Sequence, residues 1–280
     1  DIDGVPGDPS TFYVSGADGG IFKTTNGGVS FNPIFENQRA YSIGALTIAP
    51  SDKNILWVGT GEGDPRNSVG YGWGVYKSID GGISWKHLGL KNTERIKRIV
   101  VDPKDPNVAC VCALGKEWGP NKERGVFKTI DGGKTWEKIL YIDENTGCAD
   151  IAMETNNPRI MYAGMWTFRR KPWRFDDGGK NTALYRTMDG GQTWKKTLFV
   201  NDNTGVIDLI IHPENPDLLW AATWERSREA WNFVESGAGS AVYHSKDGGN
   251  NWELASDGLP TGATLGRIGL SISADNPDRI

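Results

Sequence analysis

The chain has 280 residues, 38% of them hydrophobic, with 31 basic against 35 acidic side chains and a formal net charge of -4. That much apolar material excludes a disordered chain. No apolar stretch approaches the ~18 residues of a membrane-spanning helix, and a slightly acidic balance without basic blocks argues against nucleic acid as a partner.

The opening DIDGVPGDPSTFYVSG reads as two short strands about a Gly/Pro turn, and IFKT then runs into TTNGGVSF at 24 to 31. The same pair of features returns four times. ALTIAPSDKNILWVGT from Ala45 precedes VYKS and SIDGGISW, RIVVDPKDPNVACVCA from Arg98 precedes VFKT and TIDGGKTW, DIAMETNNPRIMYAGM from Asp150 precedes LYRT and TMDGGQTW, and DLIIHPENPDLLWAAT from Asp208 precedes VYHS and SKDGGNNW. GLSISADNPDRI from Gly269 begins the pattern again. A β-rich repeat of roughly 50 residues predicts stacked blades rather than a helical solenoid.

Each unit contains two hairpins. The first turns on Pro, Asn or Asp between apolar runs. The second turns on Asp-Gly-Gly, or Asn-Gly-Gly in the first unit. There a carboxylate or amide can bond backbone amides two residues on, and glycine takes positive φ without a Cβ clash. Two hairpins give strands A to D, the four-stranded antiparallel blade of a β-propeller. Blades are expected at about 1–35, 44–89, 97–140, 149–198 and 207–255, with a partial sixth at 266–280, all in one all-β propeller that the sequence leaves incomplete. Cys110, Cys112 and Cys148 are expected as small buried strand residues, without a disulfide framework, a metal site or a cofactor.

With these five turns and their preceding hairpins, the sequence resembles the Asp-box propellers, also called bacterial neuraminidase repeat proteins, over essentially its whole length. VGTGEGDPRNSVGYGWGVYKSIDGG looks most like bacterial sortilin-like or glycosyl-hydrolase-like propellers. The resemblance implies a secreted, periplasmic or cell-surface protein, with further blades or a second propeller beside this one. It implies function poorly, because site chemistry varies on a shared scaffold.

Strand alternation sends the A-to-B turns and Asp-Gly-Gly turns to one face and the long B-to-C loops to the other. Those loops carry Arg66 and Trp73; Trp118; Trp166, Arg169, Arg170, Trp173 and Arg174; and Trp224, Arg226, Arg228 and Trp231. Indole faces and guanidinium forks in this density suit an extended glycan or a peptide with carboxylates. Binding of such a ligand is the expected function. The alternative is a glycoside hydrolase, xyloglucanase-like or sialidase-like, using paired acids such as Asp150 and Asp208 near the tops of adjacent A strands. The resemblance transfers no catalytic residue cleanly. The early Arg-Ile-Pro of sialidases has no counterpart, and Asp18 before Gly19-Gly20 stands one position away from the xyloglucanase pattern.

Overall fold

Strands with one apolar face bury it only by pairing and stacking, and in the computed structural model the chain is nearly all β, with one 3-10 turn at Lys91–Thr93 among the described residues. The structure describes residues 1–64, 68–260, 262–273 and 276–280. They divide into two compact units, Asp1–Lys116 with Val126–Ile139, and Glu117–Gly125 with Leu140–Ile280.

In the first unit, β1 (Ile2–Gly4), β2 (Phe12–Gly16), β3 (Gly20–Thr24) and β4 (Asn32–Pro33) make one four-stranded sheet. A second consists of β5 (Ile43–Ala49), β6 (Asp52–Thr60), β7 (Val75–Ser78) and β8 (Lys86–His87). A third follows with β9 (Ile96–Val101), β10 (Ala109–Ala113), β11 (Gly125–Thr129) and β12 (Glu137–Leu140), and in all three the strands lie side by side in sequence order.

The core of this unit lies between facing sheets. Tyr13, Ile21, Phe35, Leu46, Leu56 and Val58 fill the first seam, and Trp57, Val75, Ile96, Ile99, Val111 and Phe127 the second. Burying rings and aliphatic chains of this size contributes about 1.5 to 3 kcal/mol each before the entropy of ordering them is subtracted.

The second unit has β13 (Thr146–Met153), β14 (Met161–Arg170), β15 (Arg174–Asp177), β16 (Ala183–Thr187) and β17 (Lys195–Leu198), then β18 (Thr204–Ile211), β19 (Leu219–Glu225), β20 (Ser227–Glu229), β21 (Phe233–Val234), β22 (Ala241–Ser245) and β23 (Glu253–Leu254). β13-β14-β16-β17 and β18-β19-β22-β23 are blades of the same kind. β15, β20 and β21 belong to the long B-to-C loops and pair with each other instead. In 266–280 no strand forms among the described residues, although a hairpin is expected there. Two strands alone are marginal, and the segment is tied instead by Leu270 N–H to Asp208 Oδ2 at 3.0 Å and by a turn that places Arg279 N–H on the Asn276 carbonyl.

The five Gly-Gly turns all join strands C and D. In the second blade the nearly inaccessible Ser78 hydroxyl donates to Asp80 at 2.7 Å and accepts from the Gly82 amide at 2.9 Å, while Asp80 accepts the Ser84 amide. These hydrogen bonds pull the Asp80 carboxyl down to about 2, the largest contribution coming from the Ser84 hydroxyl. Gly82 has φ 91°, and a Cβ there would strike Ile34 of the preceding blade, so conformation and packing both require glycine.

Beyond closing their own hairpins, the second, third and fifth turns each fasten two blades. Tyr13 Oη and Lys23 Nζ donate to the Gly81 carbonyl, and Trp85 Nε1 returns to the Ile34 carbonyl at 2.8 Å. Trp136 Nε1 does the same to Leu88, and Tyr162 Oη reaches Gly248. All three cysteines are buried. The Cys110 thiol is pushed up to about 12 by desolvation. No helix among the described residues is long and apolar enough to cross a membrane.

Candidate functional site

The long loops of the fourth and fifth blades are not loose. β14 runs ten residues and leaves its blade, so that Phe168, Arg169 and Arg170 pair with Asp177, Asp176 and Phe175 of β15. β15 pairs onward with β20, Arg174 opposite Glu229 and Phe175 opposite Arg228, and β20 pairs with β21. On the other side of β14, Trp118 forms a parallel bridge to Arg170. The result is a strap that ties three loops of the second unit into one small sheet.

Its inner layer is aromatic and cationic. Phe168 meets Phe175 edge to face at 4.6 Å, and Trp166 meets Phe168 at 5.1 Å and Trp224 at 6.0 Å. The Arg226 guanidinium sits among these rings, 4.7 Å from Phe175 and 5.0 Å from Trp224. Arg170 Nε pairs with the buried Glu117 at 2.8 Å. Trp166 and Trp224 are therefore part of the small core of the strap and offer a ligand little open surface, whereas the buried Arg226 contributes to the lining of a cleft. Two residues with apolar faces and polar tips have been covered by their neighbours.

At the base of the strap, Arg226 Nε and Asp177 Oδ1 are 2.9 Å apart with both side chains inaccessible. The N–H does not point at the oxygen, so neither Asp177 oxygen nor Arg226 Nε has a hydrogen-bond partner. Burial pushes the Asp177 carboxyl up to about 7; Arg226 and Arg170 pull the other way without overcoming it.

Above this pair opens a cleft of 480 Å³ lined by residues that include Arg169, Lys171, Arg174, Asp176, Asn203 and Glu229. Asp176 is held by Lys171 and Arg174, both at 2.7 Å, and Arg169 donates to Asn145 Oδ1 at 2.9 Å. Three indoles of the strap face solvent: Trp118 is 47% exposed, Trp173 58% and Trp231 81%. The Ala230 amide donates to the Trp173 carbonyl, which joins the two loop segments that carry the last two.

The other expected residues lie elsewhere. Arg66 falls outside the described residues. Trp73, in the first unit, is half-buried under the Arg39 guanidinium at 3.6 Å. Arg228 lies over Phe233 at 5.2 Å. Asp150 and Asp208 follow β-bulges at the same position in β13 and β18. Asp150 is buried, and Asp208 accepts the amides of Leu209 and Leu270, each at 3.0 Å. Asp1 does the same for Leu46, so Asp1 and Asp208 act as staples from an A strand to the following repeat. Glu117, Phe175 and Asp177 organise the strap and were not singled out as site residues. Their signal in the sequence is only the unusual length and density of these two loops.

No family model matches the chain. It is 26% identical over 185 residues to the xyloglucanase Xgh74A of Acetivibrio thermocellus, covering 60% of this chain and 20% of that protein. It is 30% identical over 159 residues to the oligoxyloglucan-reducing end-specific xyloglucanase of Emericella nidulans, covering 54% and 18%. Among solved structures, an ancestral GH74 enzyme superposes on 94% of this chain and 31% of its own, with a TM-score of 0.70 at 18% identity. The chain thus spans about a fifth of the curated relatives it matches, and its fold is the β-propeller.

Proposed function

We propose that this chain is part of a carbohydrate-active Asp-box propeller similar to the xyloglucanases, and that the strap of its fourth and fifth blades grips a polysaccharide. One propeller, 1–280, would supply the scaffold in an exported protein. The observation that carries the reading is the strap itself, three solvent-facing indoles beside a cleft of alternating cations and carboxylates. Indole faces match the apolar faces of sugar rings, and fixed Arg and Asp side chains match hydroxyl pairs. Similarity to xyloglucanases supports the glycoside hydrolase reading over capture of a peptide. Turnover would need two carboxyls flanking a glycosidic bond, and the proposed acids remain Asp150 and Asp208, with Asp177 added because burial raises its carboxyl to about 7.

The test is binding of xyloglucan by affinity electrophoresis and calorimetry. Trp173→Ala and Trp231→Ala should each weaken it about tenfold, the size of one lost stacking contact, with an unchanged melting temperature, since both rings are exposed. Binding that survives both changes would move the glycan off the strap. A full-length protein that cleaves xyloglucan would establish the hydrolase; one that binds without releasing reducing ends would leave a binding module.

A further inference from the structure

The face bearing the Gly-Gly turns carries a second concavity, built from residues outside the strap. It lies in the first unit at the seam of the second and third blades, has a volume of 570 Å³, and is walled by Ile79, Trp85, Leu88 and Ile130 with Lys86 and Lys134 at its rim. Ile79 is 70% exposed and Ile130 71%, although each occupies a turn position where a polar residue would serve the fold as well.

The repeat supplies its own control. The equivalent site between the first and second blades has Thr25 where this one has Ile79 and shrinks to 180 Å³, with Lys53 on its wall. At the seam of the fourth and fifth blades Arg186 lies across the corresponding space, on Met188 and Asn250. Closing a blade seam therefore does not require the roomy apolar version, and exposed aliphatic groups gathered in one concavity mark a contact surface.

Charge defines what would fill it. The two acids of the lining are engaged locally: Asp105 Oδ1 accepts the Asn107 amide, and Asp131 accepts Lys134 and Thr135 amides and the Thr135 hydroxyl. The ammonium groups of Lys86 and Lys134 have no ion-pair partner among the described residues. A sugar would need an open aromatic face, but the one indole, Trp85, is packed edge to face on Phe35 at 5.1 Å with its N–H on Ile34. A flat lipid surface would meet a convex apolar patch better than a groove.

We propose that the groove between the second and third Gly-Gly turns docks a short linear peptide that places an aliphatic side chain between Ile79 and Ile130 and carboxylates against Lys86 and Lys134. This surface is independent of the glycan reading, since it shares no residue with the strap.

Fluorescence anisotropy would test it, using a fluorescein-labelled decapeptide of alternating leucine and glutamate, with lysine-for-glutamate and serine-for-leucine versions as controls. The leucine–glutamate probe should bind saturably and both controls at least about tenfold more weakly, as expected when one anchor or one charge pair is lost. Ile130→Asp and Lys134→Glu should each reproduce that loss without changing the melting temperature or xyloglucan binding. Equal binding of all three peptides, or affinity indifferent to both substitutions, would overturn the proposal. So would phosphatidylserine vesicles that bind through the same residues while the peptide does not compete.

Discussion

Asp208 illustrates how a side chain chosen for its chemistry can be accounted for by its backbone partners. Its carboxylate takes one amide of its own strand and one from residue 270, as Asp1 takes that of Leu46. Charge-assisted hydrogen bonds to backbone are worth about 1.5 to 3 kcal/mol, so Asp208→Ala should lower stability by that order in urea melts. Asp208→Asn, which keeps one acceptor oxygen, should lose less. The same amide tests the acid proposed for turnover, since full turnover per folded molecule would remove Asp208 from the catalytic pair. If Asp208→Asn folds with unchanged stability and abolishes turnover of xyloglucan, the staple is incidental and the residue is catalytic.

At the scale of the element, the strap depends on a carboxyl in an unfavourable place. Asp177 has an ordinary value near 3.8 in the unfolded chain and about 7 when folded, chiefly through burial. Between those values the unfolded chain has released a proton that the folded one retains. Stability from this group is therefore complete below about pH 4, falls by about 1.4 kcal/mol per pH unit, and is lost above about pH 7. The groups facing it are Arg226, Arg170 and Asp176. The isosteric Asp177→Asn mimics the protonated form, so its stability relative to the parent should improve steadily from pH 4 to about pH 7 and level off above it in parallel urea titrations. Parallel curves would mean that Asp177 titrates in the ordinary range and that the strap admits water.

The strap also marks where the sequence stops being informative. Its loops were recognisable by length and by their Trp and Arg density, but the density alone does not say which rings face out. Trp166 and Trp173 stand seven positions apart in one loop, one 3% and the other 58% exposed. What separates them is the pairing of β15 with β20, a non-local contact with no periodic signature.

Across the whole chain the opposite holds, because repetition makes each local signal count five times. Turn chemistry and strand alternation predict the four-stranded sheets and the C-to-D position of every Gly-Gly turn, and both are present. Less visible were the seam fasteners. The basic residue of IFKT, VYKS and LYRT carries no separate signal in the sequence, yet Lys23, Lys77 and Arg186 each reach a backbone carbonyl of the next blade. Repeats that touch only their neighbours have stability that is nearly a sum of local and seam contributions. Trp85→Phe keeps the ring but removes the Nε1 hydrogen bond to Ile34, worth about 1 kcal/mol. Amide hydrogen exchange should then speed up in β3 to β8, on either side of that seam, by about fivefold, and remain unchanged in β16 to β23. A uniform loss of protection across all five blades would show instead that the seams unfold as one cooperative body, and a substitution at any single turn would then be felt at the strap.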